Sequence, residues 1–378
     1  MFELWQNWLN RLEKKITRIS DQAYEPDFFS LEQLLVKASW VFHMAANLRL
    51  RLYGSGLLRE KSLPCFVISI GNILAGGAGK TPMAMHLAQL LSQMGKRPVV
   101  ISRGYKGSLK AGVGIVSDGK NLFLSLDQAG DEPYMMAKRQ TFPVVVGKDR
   151  YRAGMLAIER LKPDVVILDD GFQHLGLKKD LNILLFDHDR PLGNARVLPA
   201  GRLRETPAMS RNRCDALVFT RCPETPDSTP PVKEIIRQYG NIPFFKTRHA
   251  PFLLQMLSPK KTSPTVIPCP QSLKDRPGLL FSGIANNASF RNAAQELGVN
   301  VRDHLEFKDH YRYKRADILR IQERARELGT DLILTTDKDW VKLDQDISWD
   351  ADLAVIGIGI KFENAHAFEN FIKSRLEA

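Results

Sequence analysis

The stretch that most narrows the folds open to this 378-residue chain runs from Phe66 to Met94. An apolar run, Phe66 to Ile70, leads into Gly71-Asn72-Ile73-Leu74-Ala75-Gly76-Gly77-Ala78-Gly79-Lys80-Thr81-Pro82, and a helical pattern follows from Met83 to Met94. Strand, glycine-rich turn and helix in that order form the unit whose backbone N–H groups wrap phosphate oxygens at a helix N-terminus. Lys80 adds a mobile positive charge for the β/γ-phosphates, and Thr81 offers a hydroxyl to Mg²⁺. The pattern G-x-x-x-x-G-K-[ST] is met in variant form, with Leu74 at its first position and extra glycines at Gly76 and Gly77. Leu74, Ala75, Gly76, Gly77, Ala78, Gly79, Lys80 and Thr81 are therefore expected to hold ATP, with Mg²⁺ as the accompanying ion. A glycine-rich turn with a chance Gly-Lys-Thr is the plain alternative; the flanking strand and helix count against it.

Short apolar runs continue at Pro98–Ser102, Pro143–Gly147, Val165–Asp169, Ile183–Asp187 and Ala216–Thr220, each separated by helical segments. That alternation predicts an α/β fold with a parallel sheet covered on both faces by crossover helices. Proline-rich stretches at 222–231 and 258–277 read as linkers. Buried strands are expected again at Gly278–Ser282, Asp331–Thr335 and Leu353–Ile358, with helices around Ser289–Leu297 and Ala316–Leu328. The expected division is N-terminal amphipathic helices over 1–62, a phosphate-loop domain over 63–222, a hinge over 223–277 and a smaller α/β domain over 278–378.

A formal charge of +12 predicts an anionic partner: nucleic acid, an acidic membrane surface or a phosphorylated substrate. Cys65, Cys214, Cys222 and Cys269 lack metal-site spacing and are too sparse for a disulfide framework, which fits a reducing cytoplasm. No cleavable leader is evident at the start. Ala38–Leu48 is nearly uncharged but far shorter than the ~20 residues that span a bilayer. With Trp40, Val41, Phe42, Arg49, Arg51, Arg59 and Lys61 around it and Trp5 and Trp8 before it, the region either lies on a membrane or packs on the main domain as a helical hairpin.

Asp169 and Asp170 end a buried strand, where an acid beside a phosphate loop holds Mg²⁺ or its waters. Leu184-Leu185-Phe186-Asp187 shows how readily such a run arises alone. The lysine that partitioning ATPases carry before the glycine pair is replaced by Ala75, and Thr336-Asp337-Lys338-Asp339 lacks the spacing of a guanine-binding motif. A kinase is thus favoured over a switch. Such an enzyme needs a group to take the acceptor's proton. Asp131 in Gly130-Asp131-Glu132-Pro133 is the attractive base, while Asp309-His310-Tyr311 and Gly171-Phe172-Gln173-His174 offer histidines; each of these taken alone also fits a turn or a solvated surface.

Gly71 through Pro82, Ser102-Arg103-Gly104-Tyr105, Gly130 to Pro133, Asp169 to His174, Leu198-Pro199-Ala200-Gly201 with Leu203-Arg204-Glu205, and Thr335 to Lys342 together resemble the tetraacyldisaccharide 4′-kinases of lipid A biosynthesis, in the same order and over nearly the whole chain. The resemblance implies transfer of phosphate from ATP to the 4′-hydroxyl of a tetraacylated glucosamine disaccharide 1-phosphate, giving lipid IVA, on the cytoplasmic face of a Gram-negative inner membrane. It implies Lys80 and Thr81 on the nucleotide and Mg²⁺, Asp169 and Asp170 as metal-side acids, Asp131 as base and His310 as its partner. Tyr105, Glu132, His174, Arg204 and Glu205 match further positions near nucleotide or substrate. Lys106, Arg202, Tyr311 and Asn286-Asn287 depart from the family pattern, the first standing where glycine is usual. The acylated, anionic acceptor would explain apolar helix and arginines as peripheral membrane contact, so no nucleic acid is required and no obligate protein partner is indicated. A membrane-associated ATPase that switches a partner is the competing reading, and a nucleic-acid-binding NTPase, for which no recognition motif is present, comes third.

Overall fold

The structure is a computed structural model, and it describes residues 30–139, 141–224, 229–259, 270–344 and 347–377. Expectations about Trp5, Trp8, the first helix and Cys269 lie outside the described residues. Among the described residues twelve strands form one sheet: β1 Phe66–Gly71, β2 Pro98–Ser102, β3 Val113–Ser117, β4 Val144–Gly147, β5 Val165–Asp169, β6 Leu181–Asp187, β7 Ala216–Thr220, β8 Phe244–Leu257, β9 Pro277–Ser282, β10 Asn300–Glu306, β11 Leu332–Thr336 and β12 Asp352–Phe362. Their order is β10-β9-β11-β12-β8-β7-β6-β1-β5-β2-β4-β3.

From β8 to β4 all neighbours are parallel, and β3 closes that edge antiparallel to β4. The central strands are apolar on both faces because helices cover both. Ile68, Val100 and Ile167 pack under Met83, Leu87 and Leu91 of the helix Lys80–Gln93. Val67, Ile101 and Val166 face the other way, onto Ala153 and Ala157 of the helix Arg150–Leu161. The C-terminal helix Ala365–Glu377 returns to the first face, where Phe368 stacks on Phe362 at 4.1 Å between ring centroids.

β9, β10, β11 and β12 are parallel to one another, and β12 runs antiparallel to β8 from Leu353↔Leu257 to Phe362↔Thr247. The strands expected after Gly278 are thereby joined to the first set through β8. The stretch expected as a hinge, 223–277, is regular over much of its length: the helix Pro230–Tyr239 and the 14-residue β8 occupy it. Hydrogen bonding to β7 and then to β12 overrides the turn-forming prolines, because Pro251 lies where β8 has already passed the end of β7. Because β12 runs back along the part of β8 that lies beyond β7, the carboxyl ends of the two sets face each other, and α/β sheets build binding crevices at such ends.

The helix Leu31–Gly54 is capped by Ser30, whose hydroxyl accepts from Gln33 N at 3.2 Å. Leu35 and Ser39 point inward, whereas Leu34, Val41, Met44 and Leu48 share an exposed face with Trp40 beside it, 70% exposed. A surface helix ordinarily keeps that outer face polar. Among the described residues no helix is long and apolar enough to cross a membrane.

Candidate active site

The phosphate loop leaves β1 at Gly71, and the helix opens at Lys80, so Lys80 and Thr81 belong to its first turn. Gly76 and Gly79 have φ of +138° and +80°, backbone that side-chain-bearing residues rarely adopt. The loop is held from two sides. Thr220 Oγ1 donates to Ala78 O at 3.1 Å and Arg221 Nη2 to Gly77 O at 2.8 Å; opposite them, Ala75 N donates to Arg202 O at 2.7 Å. Lys80 Nζ rests 3.1 Å from Asn72 Oδ1, 3.2 Å from Gly76 O and 3.7 Å from Asp170 Oδ1.

Asp169, the last residue of β5, accepts from Thr81 Oγ1 at 3.2 Å, while its buried Oδ1 has no hydrogen-bond partner among the described residues. Burial, the Glu132 carboxylate and Asp170 push its carboxyl up to about 7, against the pull of Lys80 and Arg150. Asp170 turns away in left-handed backbone, φ 54°, and meets Arg204 Nη1 at 3.1 and 3.2 Å. Gln173 links this turn to the loop by donating to Asn72 O at 2.9 Å.

Asp131 opens the helix Asp131–Lys138 immediately after Gly130, and it is buried. A side chain at Gly130 would stand 2.5 Å from Tyr105 O, which fixes the turn against the Ser102–Tyr105 segment. His310 comes from the other set of strands: its Nδ1 lies 2.8 Å from Asp131 Oδ2. Its backbone N donates to Gly283 O at 3.1 Å, just past β9, and its φ of 63° is a left-handed position. Buried Asp339 accepts from Gly283 N at 3.0 Å, Thr336 Oγ1 at 2.7 Å and Lys342 Nζ at 2.7 Å, and Lys342 Nζ is 4.0 Å from Asp131 Oδ2. A second link between the halves is the buried pair Arg139–Asp337 at 2.7 Å.

A family model described as tetraacyldisaccharide-1-P 4′-kinase matches residues 31–377. The chain belongs to this family. It is 45% identical to the tetraacyldisaccharide 4′-kinase of Geobacter metallireducens over 311 residues, 82% of this chain and 88% of that protein. It is 37% identical to that of Desulfatibacillum aliphaticivorans over 378 residues, 98% and 99% of the two chains. A crystal structure of LpxK from Aquifex aeolicus in complex with ATP superposes with a TM-score of 0.73 at 36% identity, covering 92% of this chain and all of that one.

The other expected site residues of this kinase are placed unevenly. Tyr105 is exposed with its ring 6.1 Å from that of His310, and Glu132 is exposed beside Asp131. His174 is half-buried and held down to about 4 by burial and by Arg150 and Lys179, so its imidazole is neutral at pH 7. The Glu205 carboxylate is buried in an ion pair with Arg213, whose guanidinium lies over the Phe172 ring at 4.5 Å. Lys106 has φ 61°, which accounts for a glycine preference at that position.

Several residues beside the loop escape sequence reasoning. Buried Arg150 donates to Gly147 O and reaches Asp169 O at 3.4 Å; its only signal is its place just past the end of β4. His249 Nε2, buried and without a hydrogen-bond partner among the described residues, stands 3.1 Å from where a side chain at Gly79 would begin. Burial and Arg221 hold this histidine down to about 4. No sequence pattern announces it, because it approaches from a strand, 170 positions from Gly79.

The donor set fits Mg²⁺. A threonine hydroxyl, a carboxylate with one unpartnered oxygen and a second carboxylate next in sequence are hard oxygen donors. Among the described residues no three His, Cys, Asp or Glu side chains form a cage. Mg²⁺ is ordinarily held by one or two carboxylates, with waters and substrate phosphates completing the octahedron.

Proposed function

We propose that this kinase uses Asp131, oriented by His310, to take the proton of the acceptor hydroxyl while the Leu74–Thr81 loop holds the nucleotide phosphates. As a family member the protein is an ATP- and Mg²⁺-dependent kinase that phosphorylates the 4′-position of a tetraacyldisaccharide 1-phosphate in lipid A synthesis. The observation that carries the residue assignment is the 2.8 Å contact between His310 Nδ1 and Asp131 Oδ2 across the two sets of strands. An imidazole bonded to a carboxylate stabilises the proton that the carboxylate accepts in the transition state.

The loop's N–H groups and Lys80 bind and orient the phosphates, and Lys80 has only to leave Asn72 Oδ1 and Gly76 O to do so. Thr81 and Asp169, with Asp170 beside them, would hold Mg²⁺, which when bound neutralises charge on the β- and γ-phosphates. Tyr105 flanks the Asp131–His310 pair at the mouth of the site. Arg204, by fixing Asp170, keeps a second carboxylate oriented toward Lys80. The Glu132 carboxylate raises the cost of charge on Asp169, a cost that a divalent cation removes.

The exposed face of Leu34, Val41, Met44 and Leu48, followed by Arg49, Arg51, Arg59 and Lys61, supports a peripheral seat on an anionic leaflet, the cytoplasmic face of the inner membrane. Labelled ATP incubated with the tetraacylated disaccharide 1-phosphate should label the lipid. ATP hydrolysis without lipid labelling would instead support a switching ATPase. Replacing Leu34, Val41 and Met44 with glutamate in the full chain should abolish sedimentation with anionic vesicles; unchanged sedimentation would dismiss the membrane seat.

A further inference from the structure

Ser39 is a buried serine on the inner face of the helix Leu31–Gly54, and its hydroxyl does more than satisfy itself. A mid-helix serine ordinarily bonds the carbonyl one turn back, and Ser39 Oγ does lie 2.9 Å from Leu35 O. The same oxygen is 2.8 Å from Val197 O and accepts from Ala200 N at 3.0 Å. Leu35 and Ala200 pack together beneath it.

Val197 and Ala200 belong to a strap that runs directly onto the phosphate loop. Leu198 N donates to Leu203 O at 2.8 Å and Leu203 N to Arg196 O at 3.1 Å, which folds residues 196–203 into a closed loop. Asn194 Nδ2 secures it by donating to Ala200 O at 2.9 Å. Gly201 fits so tightly against Arg196 O that any side chain there would overlap it. The strap then pairs with the loop: Ala75 N donates to Arg202 O and Arg204 N to Ile73 O, both at 2.7 Å, on either side of the Leu74↔Leu203 bridge. Arg204 continues the chain of contacts to Asp170, 3.7 Å from Lys80.

From this geometry we infer that Ser39 is a positioning residue for nucleotide binding: it docks the amphipathic helix on the 196–204 strap, and the strap sets the backbone of the phosphate loop. The inference rests on the assignment of Leu74–Thr81 as the nucleotide loop. A merely space-filling serine would matter for stability alone. A strap hydrogen-bonded to the loop on both sides of Leu74 cannot shift at Ala200 without moving Ala75, because the segment between is closed on itself. The helix that presents the acceptor surface and the loop that grips ATP thus share one hydrogen-bonded frame.

The test is steady-state kinetics on the full chain in detergent micelles, with ATP and lipid varied separately. Ser39→Ala should raise the KM for ATP by about tenfold, the loss expected when roughly 1.4 kcal/mol of orientation is removed, and leave the lipid KM within about twofold. Ser39→Thr, which keeps the hydroxyl, should restore most of the ATP KM. Trp40→Ala, one position along on the exposed face, should show the reverse split by raising the lipid KM. If Ser39→Ala melts at the assay temperature, Ser39→Cys keeps the size, weakens the bonds and carries the same test. A folded Ser39 variant with a lowered melting temperature and an unchanged ATP KM overturns the inference. Wild-type protein that binds no ATP overturns the nucleotide assignment beneath it instead.

Discussion

His310 Nδ1 stands 2.8 Å from Asp131 Oδ2, and the two residues are 179 positions apart, one at a helix start in the first set of strands and one in the segment after β10 in the second. The pair therefore draws one residue from each set of strands. Arg312 Nη2 at 3.7 Å and Lys342 Nζ at 4.0 Å approach the same buried carboxylate from the second set.

Asp131→Asn is expected to lower kcat by about 10²–10⁴ with the dissociation constant for ATP unchanged, since an amide keeps the shape and loses the basicity. His310→Gln should cost less, and the double variant should be close to Asp131→Asn alone, because the two act as a unit. Comparing single-turnover rates with equilibrium nucleotide binding checks this; a matched loss of ATP affinity would refute the base.

Asp169 gives a pH signature. In the nucleotide-free protein its carboxyl is raised to about 7, so between about pH 4 and 7 the folded state holds a proton the unfolded chain has released. That contribution to stability is present below pH 4 and is lost as pH rises through 7. Asp169→Asn should therefore raise the melting temperature of the nucleotide-free protein by several degrees at pH 8, do little at pH 4, and remove activity. Mg²⁺ affinity of the wild type should climb with pH up to about 7, which calorimetry at several pH values would detect; a flat profile would contradict it.

The Arg139–Asp337 pair ties the helix that carries Asp131 to the start of the segment that carries Asp339 and Lys342. Burial pushes the Asp337 carboxyl up while Arg139 pulls it down. Arg139→Ala leaves that carboxylate without its partner and should cost about 3–5 kcal/mol of stability, read by urea unfolding. Arg139→Ala with Asp337→Ala should recover a substantial part of it.

His249 sits against Gly79 with an unpartnered Nε2 and is neutral at pH 6 to 8. Replacing it with alanine should raise the KM for ATP several-fold and leave the shape of the pH–rate profile over that range as in the wild type. A profile that loses a limb near neutrality would show that His249 titrates there after all.

The sheet's first set was largely legible because its information is local. Phe66 to Met94 carries strand, turn and helix in consecutive residues, and Val165–Asp169 is apolar at every position until its acid. β8 was not: Lys246, Arg248, His249 and Pro251 break its apolar run, and only pairing with β7 and then β12 makes those residues a strand. β3 and β10, at the two edges of the sheet, bury too few residues to stand out. Among the candidate site residues, Lys80, Thr81 and Asp169 follow from position on an element. The company kept by Asp131 and the Glu205–Arg213 pair depend on tertiary approach, which no spacing encodes. Ser39 looked like an ordinary small residue in an apolar helix until its strap was visible.

The antiparallel pairing of β8 with β12 also orders the birth of the molecule. β8 leaves the ribosome with β7 already available on one side, while its other edge must wait for Asp352–Phe362, about ten seconds later at ordinary rates of synthesis. Until then the part of β8 that runs past the end of β7, with Phe252, Leu253 and Leu254 in it, has no strand to pair with and offers a template to other chains. The charged and proline residues that hid β8 from a reading of the sequence are the same ones that discourage such pairing until the last strand arrives.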